Sequence, residues 1–272
     1  MLSMLVKLLI LAYLGFFLYV HFKPPPQYQT ADIINLSPRI VFYTRKQTEA
    51  FILADEDKFI RTLDRSNCLA RHVQTPEEYL RLSAHSAANF TPQEKRRLVR
   101  AAMKASEMLA SMSQRDLSKY GGIDKAQMLT LLPLWTLAKT TGQNVEMGMP
   151  HTRQHVIFLS GSFLNRKRSD KKLVRTLIHE FTHLYQRAFA ERYSAFLLSH
   201  EWTRVPYNEN DLRINPDLEK QVWKRGEQVF LARFTSMNPK NLRDVQLTQS
   251  RYEHPYEWYA YELSEAAATL SG

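Results

Sequence analysis

Cysteine is almost absent from this sequence of 272 residues, which has only Cys68. A single cysteine cannot form an internal disulfide and cannot supply a cluster of thiolates for a metal ion. A compartment that keeps thiols reduced fits this composition, although many extracellular domains also lack disulfides. Any metal site within this chain would therefore depend on histidine and carboxylate ligands.

Acidic residues are outnumbered by basic ones, 27 against 37, which gives a formal net charge of +10. The basic residues are nevertheless spread along the chain, and no recognised nucleic-acid-binding motif accompanies them. The densest basic runs are Lys95-Arg96-Arg97, Arg166-Lys167-Arg168 and Lys171-Lys172. Such runs usually form solvated faces or loop tips, and contact with anionic lipid headgroups is the alternative. We expect no nucleic-acid partner.

Strongly polar side chains are scarce in residues 1–22, where only Lys7 and His21 interrupt an apolar run. The run from Met4 to Phe22 reaches 19 residues if Lys7 extends its amine to the membrane surface, which is long enough to cross a bilayer. A cleaved signal peptide is the alternative, but the run ends without a small-x-small cleavage site. The sequence therefore predicts an uncleaved single-pass membrane anchor at residues 1–22.

Residues 23–37 are predicted to form a stalk, because Lys23-Pro24-Pro25-Pro26 cannot continue a helix and favours a stiff, extended chain. A folded domain is then expected over residues 38–272. Lys7 precedes the apolar run, whereas four basic residues follow it: Lys23, Arg39, Arg45 and Lys46. The positive-inside tendency places the domain on the cytoplasmic side, or inside a particle.

Hydrophobic residues make up 44% of the chain and charged residues 24%, which is typical of an ordinary globular protein. Helical and strand patterns both occur in residues 38–272, with helix the more frequent, so we predict an α+β fold with a small sheet. Strands are predicted at residues 39–43, 155–160 and 229–234. Helices are predicted at residues 77–84, from the cap Thr91 to about Ser113, at 124–140 with a kink at Pro133, and at 255–270.

The clearest motif is His179-Glu180-Phe181-Thr182-His183. Apolar residues recur around it at spacings of three and four, which predicts a helix with one buried face, and Ser169 or Asp170 can cap its start. Residues four apart lie above one another on a helix, so both imidazoles can bind one metal ion. Glu180 then projects beside the metal, where it can take a proton from a water molecule bound to the ion.

A catalytic zinc site needs a third protein ligand. The metzincin extension of the motif would place Gly and His where this chain has Gln186 and Phe189, so the metzincin family of zinc peptidases is excluded. The inverted motif His-x-x-Glu-His is also absent. The remaining common solution is a glutamate on a later helix. Glu257 fits it, because Glu257-Trp258-Tyr259-Ala260 has a small residue that lets two helices approach closely. Glu262, Glu253 and His254 are the alternatives.

On these residues the chain resembles the gluzincin metallopeptidases. The resemblance covers roughly the C-terminal half and includes the motif, the preceding strand and Glu257-Trp258-Tyr259-Ala260; Tyr261 stands where many members have the Asp or Asn that orients a ligating His. It implies a zincin-like fold in which the motif helix packs against a C-terminal helix. It also implies one Zn²⁺ per chain bound by His179, His183 and Glu257, with Glu180 as general base.

Two further expectations concern the substrate. In zinc peptidases a strand at the position of residues 155–160 commonly lies at a sheet edge and receives the substrate backbone, and a plain core strand is the alternative. A donor near the metal usually stabilises the oxyanion, and four residues are candidates for this role: Arg251, Tyr252, His254 and Tyr256.

The sequence thus predicts a membrane-anchored zinc metallopeptidase whose substrate is a polypeptide. Zinc would activate the water and polarise the carbonyl, and Glu180 would move the proton to the leaving amine. One alternative is a metal-dependent hydrolase of a non-peptide bond. Another is a non-catalytic, membrane-tethered protein whose metal merely joins two helices, with a fourth ligand such as His254. A basic membrane-surface module without metal is the remaining alternative.

Overall fold

The computed structural model describes residues 38–142, 144–165, 169–206, 211–248 and 250–270. The predicted anchor at residues 1–22 and the predicted stalk at 23–37 lie outside these ranges. Among the described residues, no helix combines the length and the apolar character needed to cross a membrane.

Helices account for the larger share of the described residues, and several begin at the caps that the sequence indicates. The hydroxyl of Thr91 accepts a hydrogen bond from the backbone N–H of Glu94, and the carboxylate of Glu94 accepts one from the backbone N–H of Thr91. The helices are α1 (Arg45–Ala54), α2 (Arg65–Leu69), α3 (Pro76–His85), α4 (Pro92–Ser111), α5 (Gln114–Gly121), α6 (Lys125–Leu131), α7 (Gly161–Leu164), α8 (Asp170–Ala188), α9 (Ala190–Ser199) and α10 (Pro255–Leu270).

Within the described ranges, the strands are short and form one main sheet and two small ones. They are β1 (Arg39–Phe42), β2 (Ala87–Ala88), β3 (Leu134–Thr140), β4 (His151–Arg153), β5 (Val156–Ser160), β6 (Trp202–Val205), β7 (Val222–Arg225), β8 (Gln228–Phe230), β9 (Ala232–Phe234) and β10 (Val245–Leu247). The mixture of helices with small sheets agrees with the predicted α+β class.

The main sheet has the order β1-β3-β5-β4, and β2 pairs with β3 outside this path. β1, β3 and β5 run parallel, whereas β4 is antiparallel to β5. The prediction of one kinked helix over residues 124–140 is therefore wrong, because α6 ends at Leu131 and β3 begins after Pro133. Leu, Ala and Lys in Leu134–Thr140 favour helix locally, but the position between two strands buries the segment and overrides that preference.

β5 lies inside the sheet, so the expectation that residues 155–160 form an edge strand is wrong and the core-strand alternative holds. β4 is the edge strand at this end of the sheet. It is only three residues long, and a tight turn in which Gln154 has a positive φ of 49° leads from it into its partner β5.

Side chains of the central strands alternate between two hydrophobic clusters, one on each face of the sheet. Ile157 and Leu159 belong to the cluster that includes α4, α8 and α10, whereas Val156 and Phe158 belong to the cluster that includes α1 and α3. Helices thus cover both faces of the sheet. α8 packs most extensively against α10, in which Ala260 is fully buried.

The single strand predicted at residues 229–234 is two strands in different sheets. β8 pairs with β7, and β9 pairs with β10. Leu231 separates them and is buried. The change of sheet at this residue explains why one continuous apolar run does not form one strand.

Candidate metal centre

α8 presents the motif because one of its faces is anchored in the core. Ser169 caps the helix by accepting a hydrogen bond from the backbone of Lys172, as predicted. Leu177 and Phe181 are fully buried, and the ring of Phe181 lies 5.3 Å from that of Trp135 on β3. The helix ends at Ala188, and a second helix, α9, follows it.

His179, His183 and Glu257 bring their ligand atoms together at one point between α8 and α10. The two Nε2 atoms are 3.2 Å apart. One oxygen of Glu257 is 3.4 Å from His179 Nε2, and its other oxygen is 3.8 Å from His183 Nε2. Ligands bound at about 2.1 Å to a tetrahedral zinc ion lie roughly 3.4 Å from one another. The spacing of the three side chains therefore fits a zinc ion.

Gln186 determines which nitrogen of His183 carries the proton. The Nε2 group of Gln186 donates to the carbonyl oxygen of Tyr256 at 3.1 Å and to the hydroxyl of Tyr193 at 3.0 Å. A carbonyl can only accept, so the amide oxygen of Gln186 must face His183, where it lies 2.8 Å from Nδ1. Nδ1 of His183 is thus the donor, and its Nε2 keeps a lone pair for a metal ion.

His179 has different surroundings. Its Nδ1 is buried and has no hydrogen-bond partner among the described residues, and the ring of Tyr261 packs edge-on against its imidazole at 4.5 Å. Tyr261 therefore holds the ring of His179 by packing.

Glu257 is held by a polar network from the segment before β7. Asn215 donates from Nδ2 to Glu257 at 3.2 Å and to Glu253 at 2.8 Å. Arg213 forms an ion pair with Glu253 at 2.6 Å. The carboxylate at the candidate metal site is therefore fixed in position by residues distant in sequence.

Glu180 is 97% buried, with an exposed fraction of 3%, and it lies beside the ligand group on the wall of a cleft. Its Oε2 accepts a hydrogen bond from the hydroxyl of Thr152 on β4 at 3.0 Å. Burial raises the pKa of Glu180 to about 7, against the opposing effects of His179 and Thr152. A carboxyl group with a pKa near neutrality can both accept and return a proton.

Two of the three ligand side chains, His183 and Glu257, have the protonation states that metal binding needs. Burial lowers the pKa of His183 to about 3, so its imidazole is neutral. Burial alone would raise the pKa of Glu257, but the hydrogen bond and charge of His179 lower it to about 2. Burial lowers the pKa of His179, but the hydrogen bond and charge of Glu257 raise it overall, so a metal ion at this site would compete with the proton of His179.

The alternative third ligands do not join this group. Both ring nitrogens of His254 are engaged by the backbone, with Nε2 at 3.1 Å from the carbonyl of Gln221 and Nδ1 accepting from the amide of Tyr256. Glu262 lies 3.6 Å from Arg251, and Glu253 is paired with Arg213 as described above.

The predicted oxyanion donors divide into two pairs. Tyr252 and Arg251 line the cleft, with the guanidinium of Arg251 4.8 Å from the centre of the Tyr252 ring. Tyr256 and His254 are buried and pack against each other with ring centres 4.8 Å apart, away from the cleft wall. Only the first pair stands where a substrate would meet it.

The cleft has a volume of about 1090 Å³ and reaches three members of the motif and ligand set, His179, Glu180 and Glu257. His183 is fully buried behind them. The first turns of α8, the C-terminal part of α10 and residues 213–217 form its walls. A molecule entering the cleft would therefore meet Glu180 and the open side of the ligand group together.

The edge of the main sheet beside Glu180 is already occupied. The backbone N–H of Thr152 donates to the carboxylate of Asp217, and its carbonyl accepts from Arg187 at 3.2 Å. Arg187 also donates to the carbonyl of Pro216. Burial raises the pKa of Asp217 well above its ordinary value, and the nearby charge of Glu180 adds to this. Residues 216–217 are thus tied to β4 and to α8 at once.

Sequence reasoning did not assign the supporting residues Thr152, Gln186, Asn215 and Asp217. Gln186 stood out only as a departure from another family's pattern, although it lies one helical turn after His183, where a polar side chain can reach that ring. The other three come from β4 and from the segment before β7. No spacing within the sequence connects them to the motif.

Comparison of the chain with models of known protein families, with curated proteins and with solved structures found no match.

Proposed function

We propose that this chain is a zinc metallopeptidase that hydrolyses peptide bonds in a polypeptide substrate, with one Zn²⁺ held by His179, His183 and Glu257. The observation that carries the proposal is the convergence of these three side chains beside a buried glutamate on the wall of an open cleft. The gluzincin resemblance and the zincin-like fold it implies belong to the same proposal.

Bound zinc would supply Lewis acidity, acidifying a water molecule and polarising the carbonyl under attack. The chain's own part is to move the proton. Thr152 holds Oε2 of Glu180, and no hydrogen bond among the described residues engages Oε1, which is left to accept a proton in the cleft. Glu180 then returns this proton to the leaving amine. Arg251 or Tyr252 supplies a donor to the developing oxyanion.

The non-catalytic alternative needs a closed site with a fourth protein ligand. Among the described residues, the ligand group has three members, and His254 is bound elsewhere through both nitrogens. The placement of Glu180 beside the group also favours catalysis, because a structural site has no use for a base. Hydrolysis of a non-peptide bond remains the second candidate, since the same ligands and base serve both reactions.

We extend the proposal to location: residues 1–22 anchor the chain in a membrane as a single span, and the catalytic domain lies on the cytoplasmic side. The charge asymmetry around the apolar run supports this orientation. A protease-protection assay on membrane vesicles tests it. Cleavage of the domain in sealed vesicles that expose only the outer face of the cell would contradict the orientation.

The test of function is elemental analysis of the purified full chain together with two variants. We expect one zinc per chain, lost in Glu257→Ala and retained in Glu180→Gln, because only the first removes a ligand. Glu180→Gln should abolish cleavage of a peptide library that the unchanged chain cleaves. Zinc retained in Glu257→Ala would remove Glu257 from the site, and normal turnover in Glu180→Gln would remove Glu180 from the mechanism.

A further inference from the structure

The closed sheet edge limits how a substrate can be recognised. In an antiparallel pair the backbone groups of successive residues point alternately towards and away from the partner strand. On the three-residue strand β4 only Thr152 points outward, and Asp217 and Arg187 occupy its N–H and carbonyl. A polypeptide in the cleft therefore cannot add to this sheet as a further strand. Its side chains must supply the recognition.

The carboxylates that line the cleft are already engaged. Glu146 is paired with Arg71 at 2.8 Å, Glu253 with Arg213, and Glu265 with Arg175. Glu180 and Glu257 belong to the candidate catalytic centre, and the pKa of Asp217 is raised. The acidic groups of the cleft thus leave little negative charge to attract a cationic substrate.

Three cations of the cleft have no such partner among the residues that the structure describes. Lys171 and Lys172 in the first turn of α8, and Arg243 in the loop before β10, are exposed and line the cleft. Within the described part of the chain, no carboxylate lies within 4.0 Å of their charged groups. Charges that line a concave surface act together on an approaching ligand, since all lie within about one Debye length of it.

We infer that the cleft selects an anionic polypeptide segment, whose Asp and Glu side chains lie against Lys171, Lys172 and Arg243. The inference rests on the proposed function, because it names the substrate class of the same site. The unpaired cations lie on the walls of the cleft that holds Glu180, so their charge favours acidic residues flanking the bond to be cut.

The test measures binding separately from turnover. The zinc-loaded full chain carrying Glu180→Gln is titrated with fluorescent peptides of one sequence in which the charged positions are all Glu, all Gln or all Lys. We expect the Glu peptide to bind most tightly and to weaken as salt is added. The double substitution Lys171→Glu with Lys172→Glu should reduce its affinity about tenfold, as expected for the loss and reversal of two exposed charge pairs.

The matched control is Arg96→Glu with Arg100→Glu on α4, which makes the same change in net charge at exposed positions outside the cleft. This control should leave the affinity within about twofold. Equal binding of the three peptides, or an equal loss in the control, would overturn the inference. So would unaltered affinity for the Glu peptide in the variant that carries both lysine changes, because these lysines would then serve another contact, such as anionic lipid.

The two proposals fail separately. A preference for the Glu peptide without turnover by the unchanged chain would count against peptidase activity alone. Turnover that is indifferent to peptide charge would refute the anionic selection alone.

Discussion

The hydrogen bond from His183 to Gln186 gives the sharpest test of the metal centre. Replacing Gln186 by Leu keeps a side chain of similar volume but removes the acceptor for Nδ1 of His183. The imidazole is then free to carry its proton on Nε2, the atom that would bind zinc. Zinc binding would cost the free energy of moving this proton back to Nδ1. We therefore expect Gln186→Leu to bind zinc more weakly than the unchanged chain.

The magnitude follows from the groups left without partners. Removing an outer partner of a metal-binding histidine costs about 10- to 100-fold in metal affinity, or about 1.4 to 2.8 kcal/mol. The same change leaves the buried carbonyl of Tyr256 without the amide donor, and a buried unpaired group costs about 1 to 3 kcal/mol of stability. Weaker zinc binding and a lower free energy of unfolding should appear together.

The assay is competition for zinc between the full chain and a chromophoric chelator, with circular dichroism to establish that the variant is folded. Tyr193→Phe is the control, because it removes the hydroxyl that accepts from Gln186 but leaves the bond to His183 in place. We expect the control to bind zinc within about threefold of the unchanged chain. A folded Gln186→Leu chain that does the same would refute the proposed role of Gln186.

Two further predictions concern stability. Burial raises the pKa of Glu146, but its ion pair with Arg71 lowers the pKa overall. The ion pair therefore stabilises the fold above the unfolded-state pKa of about 4.3, and this stabilisation is lost as the pH falls below that value. Urea unfolding midpoints should therefore fall with acidification, and Glu146→Gln should flatten that dependence; an unchanged dependence in this variant would contradict the assignment. Gly122 has a φ of 62°, and an added Cβ would lie 2.4 Å from the ring of Phe196, whereas Gly226, with a φ of 58°, has open space. Thermal unfolding should show Gly122→Ala to be more destabilising than Gly226→Ala, by more than about 1 kcal/mol, and equal losses would refute the steric argument.

The parts of the fold that the sequence predicts well are those with local signals. Ser169 and Thr91 cap their helices where expected, because a cap needs only its own residue and the next turn. The segment Leu134–Thr140 is the opposite case. Its strand state depends on β1 and β5, which are distant in sequence, so its helix-favouring composition misleads.

The same distinction applies to the candidate site. His179 and His183 share one helix, and the spacing of the motif alone brings them together. Glu257 was identifiable because a glutamate followed by a small residue suits a closely packed helix. Thr152 and Asn215 were not, because their roles depend on how β4 and the segment before β7 fold around the motif.

Asn215 has a consequence for the thermodynamics of the site, since its amide donates to both Glu253 and Glu257. A side chain that orients a metal ligand is stabilised in turn when the metal binds, and this linkage is reciprocal. Zinc should therefore reduce the fluctuations of residues 213–217. A ligand that orders these residues should tighten zinc binding by the same factor by which zinc tightens the binding of that ligand. With zinc bound as proposed, the wall of the cleft and the candidate metal centre would form one thermodynamically coupled unit.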